Sequence, residues 1–290
     1  MKKTRFRKDI RFFIEMVGMS STGIGDVTVD DKYALIMVHP SNSIAVTPPV
    51  GMELPTFREI VFYTNCLVYE HDLPAFIWPF RKKALVQPIE RGRKKYINES
   101  YYQSLGIAYE ALNSIRLGPL GYVNFRWLGF QKEVDIPYTK KYSTVTKELS
   151  LYSTAVRQLD PLSEFLCYYR VIESVTGTNG KEWISKNLHR MESYNFGFLD
   201  FGTDARNGPR IRRTNVFSIY RKRALERLKE LKCKLVGLSV ADYFYHENRC
   251  GIAHGKSHVK EYDFEFNIEE LSKDAYVLKL LSRIAIEDKI

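Results

Sequence analysis

Hydrophobic positions in the second half of the chain recur every three or four residues, the period of a helix with one buried face. In the first such segment, which Thr139 can cap, these positions are Tyr142, Val145, Leu149, Tyr152, Val156 and Leu159. Asp160 and Pro161 then supply a cap and a first-turn proline for a second helix, which Gly177 ends. The pattern predicts packed helices from about residue 138 onward.

Further segments of the same kind complete this half. They run from Glu182 to about Met191, from Asn215 or Ser218 to Leu235, from a cap at Ser239, and from Ile268 to about Glu287. Each presents one apolar face, so each must pack against the others. The last of them is expected to close the bundle.

The first half has shorter apolar runs, separated by proline and glycine. Tyr33–Val38 predicts a buried strand, and Tyr122 to Glu133 alternates as a half-buried strand does. Asn98 can cap a helix from Glu99 to about Ile115, whereas residues 57–69 suit either a helix or two strands. We expect an α+β protein, with a mixed, aromatic-rich, β-containing domain at residues 1–137 and an all-α bundle at residues 138–290.

Composition and charge narrow the function classes. A formal charge of +10 suits an acidic partner such as a phosphate backbone. The chain has no run of eighteen apolar residues and no apolar signal segment after Met1, so we expect a cytoplasmic protein that does not span a membrane. Its aromatic N-terminal half can be a core or a platform for RNA or sensing, and the sequence leaves these alternatives open.

Metal and cofactor sites lack a sequence signal. Cys66, Cys167, Cys233 and Cys250 are far apart, without zinc-ligand spacing, and are expected to be buried free thiols. The chain contains no phosphate-binding glycine loop and no zinc-protease motif. We therefore expect neither a metal nor another cofactor.

The densest positive charge of the second half precedes the helix that ends near Leu235. It consists of a cluster of four arginines and the basic residues that follow it: Arg206, Arg210, Arg212 and Arg213, then Arg221, Lys222 and Arg223. One interpretation is an RNA-backbone contact, which would make binding salt-dependent. The other is a solvated insertion without a ligand.

Candidate chemistry lies at Arg249 and His254, near the end of the helix that Ser239 caps. A guanidinium binds phosphate oxygens, and an imidazole exchanges a proton near neutral pH. Together they can cleave RNA without a metal, if the substrate's 2'-hydroxyl attacks the adjacent phosphorus. The products would be a 2',3'-cyclic phosphate and a 5'-hydroxyl.

The setting of this pair resembles a known family. Arg249-x4-His254 is followed at once by Gly255 and then by a last helix, and a helix containing Tyr169, Ile172 and Glu173 lies about eighty residues upstream. This combination resembles the HEPN superfamily, in particular the subgroup with methylamine-utilisation-type and Apea-like HEPN proteins. The resemblance covers about residues 138–290.

The resemblance implies a metal-independent endoribonuclease that works as a homodimer, with Arg249 and His254 as catalytic residues. The two pairs would face each other across a two-fold axis, in a toxin or antiviral setting with an antitoxin or defence protein as partner. Asn248, Glu173 and Lys256 are candidate supporting residues. Glu173 could orient the catalytic pair, or it could simply pair with Arg170 on its own helix.

One departure from the family pattern keeps an alternative open. Many family members carry Asn, Asp or His directly after the arginine, whereas this chain has Cys250. A non-catalytic HEPN module for RNA binding or dimerisation is therefore the second hypothesis. In addition, five α-helical positions correspond to about 140° around the axis, so the helix is expected to end or tighten between Arg249 and His254, at Gly251 or Gly255.

Overall fold

The computed structural model describes residues 53, 55–72, 74–79, 141–194, 216–254 and 268–290, together with the backbones of the strands named below. Within these ranges the side chains at positions 71, 78–79, 216–220 and 254 are outside the description. The chain divides into two compact units. One comprises residues 1–143 with 198–213, and the other comprises residues 144–197 with 214–290.

The first unit contains β-strands and one described helix. The strands are β1 (Phe12–Met16), β2 (Met19–Ser21), β3 (Asp26–Val29), β4 (Tyr33–Val38), β5 (Ser43–Thr47), β6 (Ala75–Pro79), β7 (Gln87–Ile89), β8 (Arg93–Lys95), β9 (Phe125–Trp127), β10 (Val134–Asp135), β11 (Asp200–Asp204) and β12 (Gly208–Arg212). Six of them form a sheet in the order β10-β3-β4-β5-β1-β6. Its neighbours are antiparallel except β10 and β3, and the remaining strands form pairs: β2 with β9, β7 with β8, and β11 with β12.

Residues 57–69, for which the sequence left two alternatives, are helical. Helix α1 (Phe57–His71) begins with a capping box, because Thr56 Oγ1 accepts the backbone N–H of Glu59 and the Glu59 carboxylate accepts that of Thr56. Ile60 and Val68 are fully buried on its inner face. The two side chains of the capping box accept the backbone N–H groups of Thr56 and Glu59. These groups would need other acceptors in a strand, so local hydrogen bonding favours the helix.

The second unit is a bundle of helices, as the periodicity predicted. Its helices are α2 (Thr146–Arg157), α3 (Pro161–Thr176), α4 (Lys181–Asn187), α5 (Arg190–Ser193), α6 (Val216–Lys234), α7 (Val240–Asp242), a π-helical segment (Tyr243–Arg249), α8 (Cys250–His254) and α9 (Ile268–Lys289). Helix α3 packs between α2 and α9, and α9 also packs against α6. The core is aromatic, and four of its fully buried side chains are Tyr152, Phe165, Tyr168 and Phe244.

Several predicted helix ends are confirmed. The carboxylate of Asp160 accepts the backbone N–H groups of Leu162 and Ser163, Pro161 opens α3, and Gly177 ends it with a left-handed φ of 66°. Ser239 caps α7 as expected.

Other predicted helices differ in part from the structure or lie outside the described residues. The predicted first helix of the bundle is helical already at residues 141–142, but a 3-10 turn at Ser143–Val145 interrupts it before α2 begins at Thr146. Thr139 itself and the predicted helix from Glu99 to Ile115 lie outside the described residues. No helix in the described part of the chain is long and apolar enough to cross a membrane.

The cysteines are free, and their burial is uneven. Cys66 is buried and Cys167 and Cys250 are half-buried, whereas Cys233 is exposed. The expectation of a buried thiol is therefore wrong for Cys233, which lies in the last, solvent-facing turn of α6. Among the described residues no group of His, Cys, Asp and Glu side chains could hold a metal ion.

Candidate functional site

Arg249 lies at the end of a widened turn of helix. After the short helix α7, the π-helical segment Tyr243–Arg249 follows, and the backbone N–H of Cys250 donates to the carbonyl of Tyr245, five residues earlier. Such wide turns are rare and are frequently found at functional sites. The helix was predicted to end or tighten between Arg249 and His254, whereas the structure shows a widening that ends at Arg249.

The guanidinium of Arg249 contacts Glu173 of α3. Both Nε and Nη2 lie 3.1 Å from the same carboxylate oxygen, Oε1. The two side chains remain partly exposed, at 26% for Arg249 and 22% for Glu173. Within the described part of the chain no ion pair joins Glu173 to Arg170, so Glu173 pairs across helices and not along its own.

The surroundings of this ion pair favour a charged arginine. Partial burial opposes the charge, but the carboxylate of Glu173 outweighs it, so the pKa of Arg249 lies above its ordinary value. The ring of Tyr245 lies 6.0 Å from the guanidinium carbon. Tyr169 of α3 is also close: burial and then the charge of Glu173 raise the pKa of its hydroxyl, which donates to the carbonyl of Asn179. Arg249 is thus a partly exposed, permanent cation that Glu173 holds beside α3.

Asn248 points away from this ion pair. Its side chain is 1% exposed, and its Nδ2 donates to Oδ2 of Asp274 on α9 at 2.8 Å. The hydroxyl of Tyr243 donates to the same oxygen at 2.9 Å, and Arg227 Nε donates to Oδ1 at 2.7 Å. Neighbouring residues of the π-helical segment therefore contact two different helices: Asn248 contacts α9, and Arg249 contacts α3.

Asp274 belongs to a buried charge network that links α6 to α9. Burial raises the pKa of its carboxyl, against the effect of Arg227, Tyr243 and Asn248. Arg227 also donates to Glu270 at 2.6 Å, and Lys234 lies 3.3 Å from the same oxygen of Glu270. Burial acts to raise the pKa of Glu270, but the contacts with Arg227 and Lys234 outweigh this effect, so the pKa falls to about 2. Each buried charge has at least one partner of opposite sign, as burial requires.

A cleft of about 490 Å³ adjoins this network. The side chains around it come from α6, the turn after α6, the π-helical segment and α9: Arg227, Lys234, Leu235, Val236, Leu238, Tyr243, Glu247, Asn248, Glu270, Leu271 and Asp274. Arg249 is not among them. The cleft and the guanidinium are on different faces of the same helical segment.

His254 is the last residue of α8, and its side chain lies outside the described residues, as do Gly255 and Lys256. The backbone is α-helical from Cys250 to His254. The positions of Arg249 and His254 therefore lie about 140° apart around the axis within one chain. The predicted interruption at Gly251 is wrong, because Gly251 is inside α8.

The predicted RNA-binding arginines are distributed over both units. Arg210 and Arg212 lie on the backbone of β12, which groups with the first unit, while Arg206 and Arg213 lie outside the described residues. Arg221 lies on α6 in the second unit, where its Nη1 donates to the carbonyl of Tyr194 at 3.4 Å.

Sequence reasoning missed Asp274, Arg227 and Tyr243. Asp274 occupies a position on α9 that its apolar neighbours Leu271, Ala275 and Leu278 place on the buried face. A carboxylate on a predicted buried face is the signal that could have indicated a hydrogen-bonded partner. Its partners, however, come from two other helices and could not be paired from spacing.

A comparison with known families supports part of the sequence resemblance. Residues 149–287 match the family described as methylamine utilization protein MauJ. The match lies in the C-terminal half and includes Glu173, Arg249, His254 and Asp274. No curated protein and no solved structure matches the chain.

Proposed function

We propose that the C-terminal unit is a HEPN-type endoribonuclease that cleaves RNA without a metal. The observation that carries this proposal is the partly exposed guanidinium of Arg249, oriented by Glu173, on the helix that ends at His254. A permanent cation in that position is suited to a phosphate, because its fork can donate to two oxygens.

In the proposed reaction the 2'-hydroxyl of the substrate attacks the adjacent phosphorus. His254 accepts the hydroxyl proton and returns a proton to the departing 5'-oxygen, so no net proton is consumed. The bond from phosphorus to the 5'-oxygen breaks, which leaves a 2',3'-cyclic phosphate and a 5'-hydroxyl. Arg249 stabilises the negative charge that develops on the phosphate oxygens.

Two molecules of the chain are part of this proposal. Because the positions of Arg249 and His254 diverge by about 140° on one helix, one chain alone aligns them poorly on a single phosphate. In a two-fold dimer the Arg249 and His254 pairs of both subunits border a common cleft. The dimer would act in a toxin or antiviral setting, with an antitoxin or defence protein as regulator, and the arginines at 206, 210, 212, 213 and 221 would contact the RNA backbone.

The test is cleavage of total RNA in the presence of EDTA, followed by mapping of the fragment ends. We expect the wild type to cleave and His254→Ala to lower the rate by about 10²- to 10⁴-fold, the usual value of acid–base catalysis. Arg249→Ala should lower it by about 10²- to 10³-fold. Loss of wild-type cleavage on chelation would contradict the mechanism.

The chain offers matched controls for both variants. His246→Ala removes a histidine of the π-helical segment whose side chain is 56% exposed, and Arg170→Ala removes an exposed arginine of α3. Both should retain wild-type cleavage. If either control loses as much activity as its catalytic counterpart, the loss reflects charge or folding and not the proposed roles.

A second candidate is a non-catalytic HEPN module that binds RNA or a protein. The continuous helix through His254 favours it, since the two catalytic groups then start from different faces. Under this hypothesis the purified protein binds RNA, cuts nothing, and binds equally well as His254→Ala. The same cleavage experiment, combined with a binding titration, separates the two functions.

A further inference from the structure

Two side chains of the π-helical segment share one acceptor. Tyr243 and Asn248 are five residues apart, and both donate to Oδ2 of Asp274, at 2.9 and 2.8 Å. In an α-helix, residues five apart lie about 140° apart around the axis and cannot both reach one atom on a neighbouring helix. In a π-helix, with hydrogen bonds from residue i to residue i+5, the wider turn brings them closer to the same face.

A second pair with the same spacing faces α3. Phe244 is fully buried, and the centroid of its ring lies 6.1 Å from that of Phe165. Arg249 contacts the partly exposed Glu173. Both partners, Phe165 and Glu173, belong to α3. The π-helical geometry therefore creates two contact lines at once, one toward α9 and one toward α3.

We infer that Asp274 is a positioning residue for Arg249: by accepting from both Tyr243 and Asn248, it fixes the wide helical turn that places the guanidinium beside Glu173. The energetic preference of an isolated chain is for the α-helix, since π-helical turns are rare. A relaxed, α-helical turn would separate Tyr243 from Asn248 and Phe244 from Arg249 by about 140° each. With Phe244 still buried against Phe165, Arg249 would then rotate away from Glu173.

Arg227 makes Asp274 suitable for this role. It binds Oδ1, so Oδ2 remains oriented toward the π-helical segment, and the arginine offsets the cost of the buried carboxylate. Tyr243 and Asn248 carry no charge, so their removal tests the acceptor arrangement without leaving Arg227 unpaired. The consequence for cleavage rests on the proposed function, whereas the consequence for the position of Arg249 does not.

The experiment compares the full-length wild type with Tyr243→Phe, Asn248→Leu and the double variant. Ser282→Ala is the matched control, because it removes another buried hydroxyl donor of α9, which donates to the carbonyl of Tyr168 at 2.9 Å. The first readout is the NMR resonance of the Arg249 Nε–H group, assigned by its loss in Arg249→Lys. The second is the RNA-cleavage rate, resolved into kcat and KM.

In the double variant we expect the Arg249 Nε–H resonance to shift and to exchange faster with solvent, since its hydrogen bond to Glu173 is lost. The kcat should fall by about 10- to 100-fold, the size expected when a catalytic group is misplaced by about an ångström. Ser282→Ala should leave the resonance and kcat unchanged, even if it lowers the melting temperature as much as Tyr243→Phe does.

The outcomes separate the two proposals. A shifted resonance in a protein whose wild type cuts no RNA supports the positioning role of Asp274 and overturns the ribonuclease. An unmoved resonance in the double variant overturns the positioning role, whether or not the wild type cleaves. A shift of equal size in Ser282→Ala also overturns it, because general loosening of the bundle would then explain the change.

Discussion

At the scale of single residues, the second unit contains two kinds of ion pair that contribute differently to the stability of the fold. Arg249 and Glu173 are both partly exposed, so their interaction is screened and contributes roughly 0–1 kcal/mol. Arg227 is 2% exposed and Asp274 is fully buried. Removing Arg227 leaves the buried carboxylate of Asp274 without its cation, which costs about 3–5 kcal/mol. The exposed pair is therefore available for function, and the buried pair maintains the structure.

The pH dependence of stability tests the network at Glu270. Its pKa is lowered from 4.5 to about 2 in the folded protein. A carboxyl whose pKa is lowered by folding stabilises the protein fully above pH 4.5, and this contribution is lost as the pH falls through about 2. The free energy of unfolding of the wild type should therefore exceed that of Glu270→Gln at pH 6, by less than about 1 kcal/mol because the side chain is 36% exposed.

Urea unfolding of both proteins at pH 6, 4 and 2 measures this difference. Taking the difference between the two proteins removes the common titration of the other carboxyl groups. The difference should shrink as the pH falls. A constant difference across this range would show that Glu270 has no charge-dependent interaction with Arg227 and Lys234.

At the scale of elements, helix α3 is defined at both ends by local chemistry and carries the site on its last turns. Asp160 caps its start, and Gly177 and Gly180 form the turn to α4, both with positive φ. Ile172 and Glu173 lie in the last turns, so this α3–α4 turn borders the residue that pairs with Arg249. An added methyl group at Gly180 would lie 3.0 Å from Cγ2 of Ile172, whereas nothing lies within 4 Å at Gly177.

The two glycines form a matched pair for a stability measurement. Gly177→Ala should lower the free energy of unfolding by about 1–2 kcal/mol, the cost of a left-handed backbone for an alanine. Gly180→Ala carries the same backbone cost and a close contact with Ile172, so it should lose about 1 kcal/mol more, at the lower end of typical overpacking costs. Chemical denaturation of both variants checks the order. Equal losses would show that Ile172 moves aside freely.

At the scale of the whole molecule, the predicted RNA-binding arginines are spread over both units. The segment 198–213, which contains Arg206, Arg210 and Arg212, groups with the first unit. A charge of +10 would attract a polyanion wherever the charge lies, so the salt dependence of binding is needed to assign contacts to particular arginines.

Removal of four arginines tests the predicted RNA contact. Each contact with a phosphate of single-stranded RNA contributes about −0.7 to the slope of log K against log salt concentration. If Arg206, Arg210, Arg212 and Arg213 each neutralise one phosphate, changing all four to Ser should reduce the slope by about 3. Fluorescence titrations of an RNA oligonucleotide at several salt concentrations measure it.

The control for this variant removes the same charge elsewhere. Changing the exposed lysines 147, 186, 222 and 229 to Ser also lowers the formal charge from +10 to +6, since 10 − 4 = 6. Its slope should stay near that of the wild type. If both variants change the slope equally, the arginine cluster acts only through net charge and makes no specific contact with the backbone.

The sequence by itself determined that the second unit is helical and where several of its helices begin or end. Asp160, Ser239 and Gly177 act within one turn of their own position, and the three- to four-residue period identifies a buried face without knowledge of its partner. It also indicated Arg249 and Glu173 as candidates. For residues 57–69 periodicity left two alternatives, and the capping box with burial on one side decided for α1.

Only the tertiary structure decided which side chains meet. Glu173 and Arg249 are 76 residues apart, and Arg227 and Asp274 are 47 residues apart, so no local spacing predicts either pair. The wide turn at Tyr243–Arg249 is likewise a tertiary result, because its geometry is unfavourable for an isolated helix and is stabilised by acceptors on α9 and α3. Local hydrogen bonds and periodicity are encoded within a few residues, whereas the direction of a side chain depends on the helices packed around it.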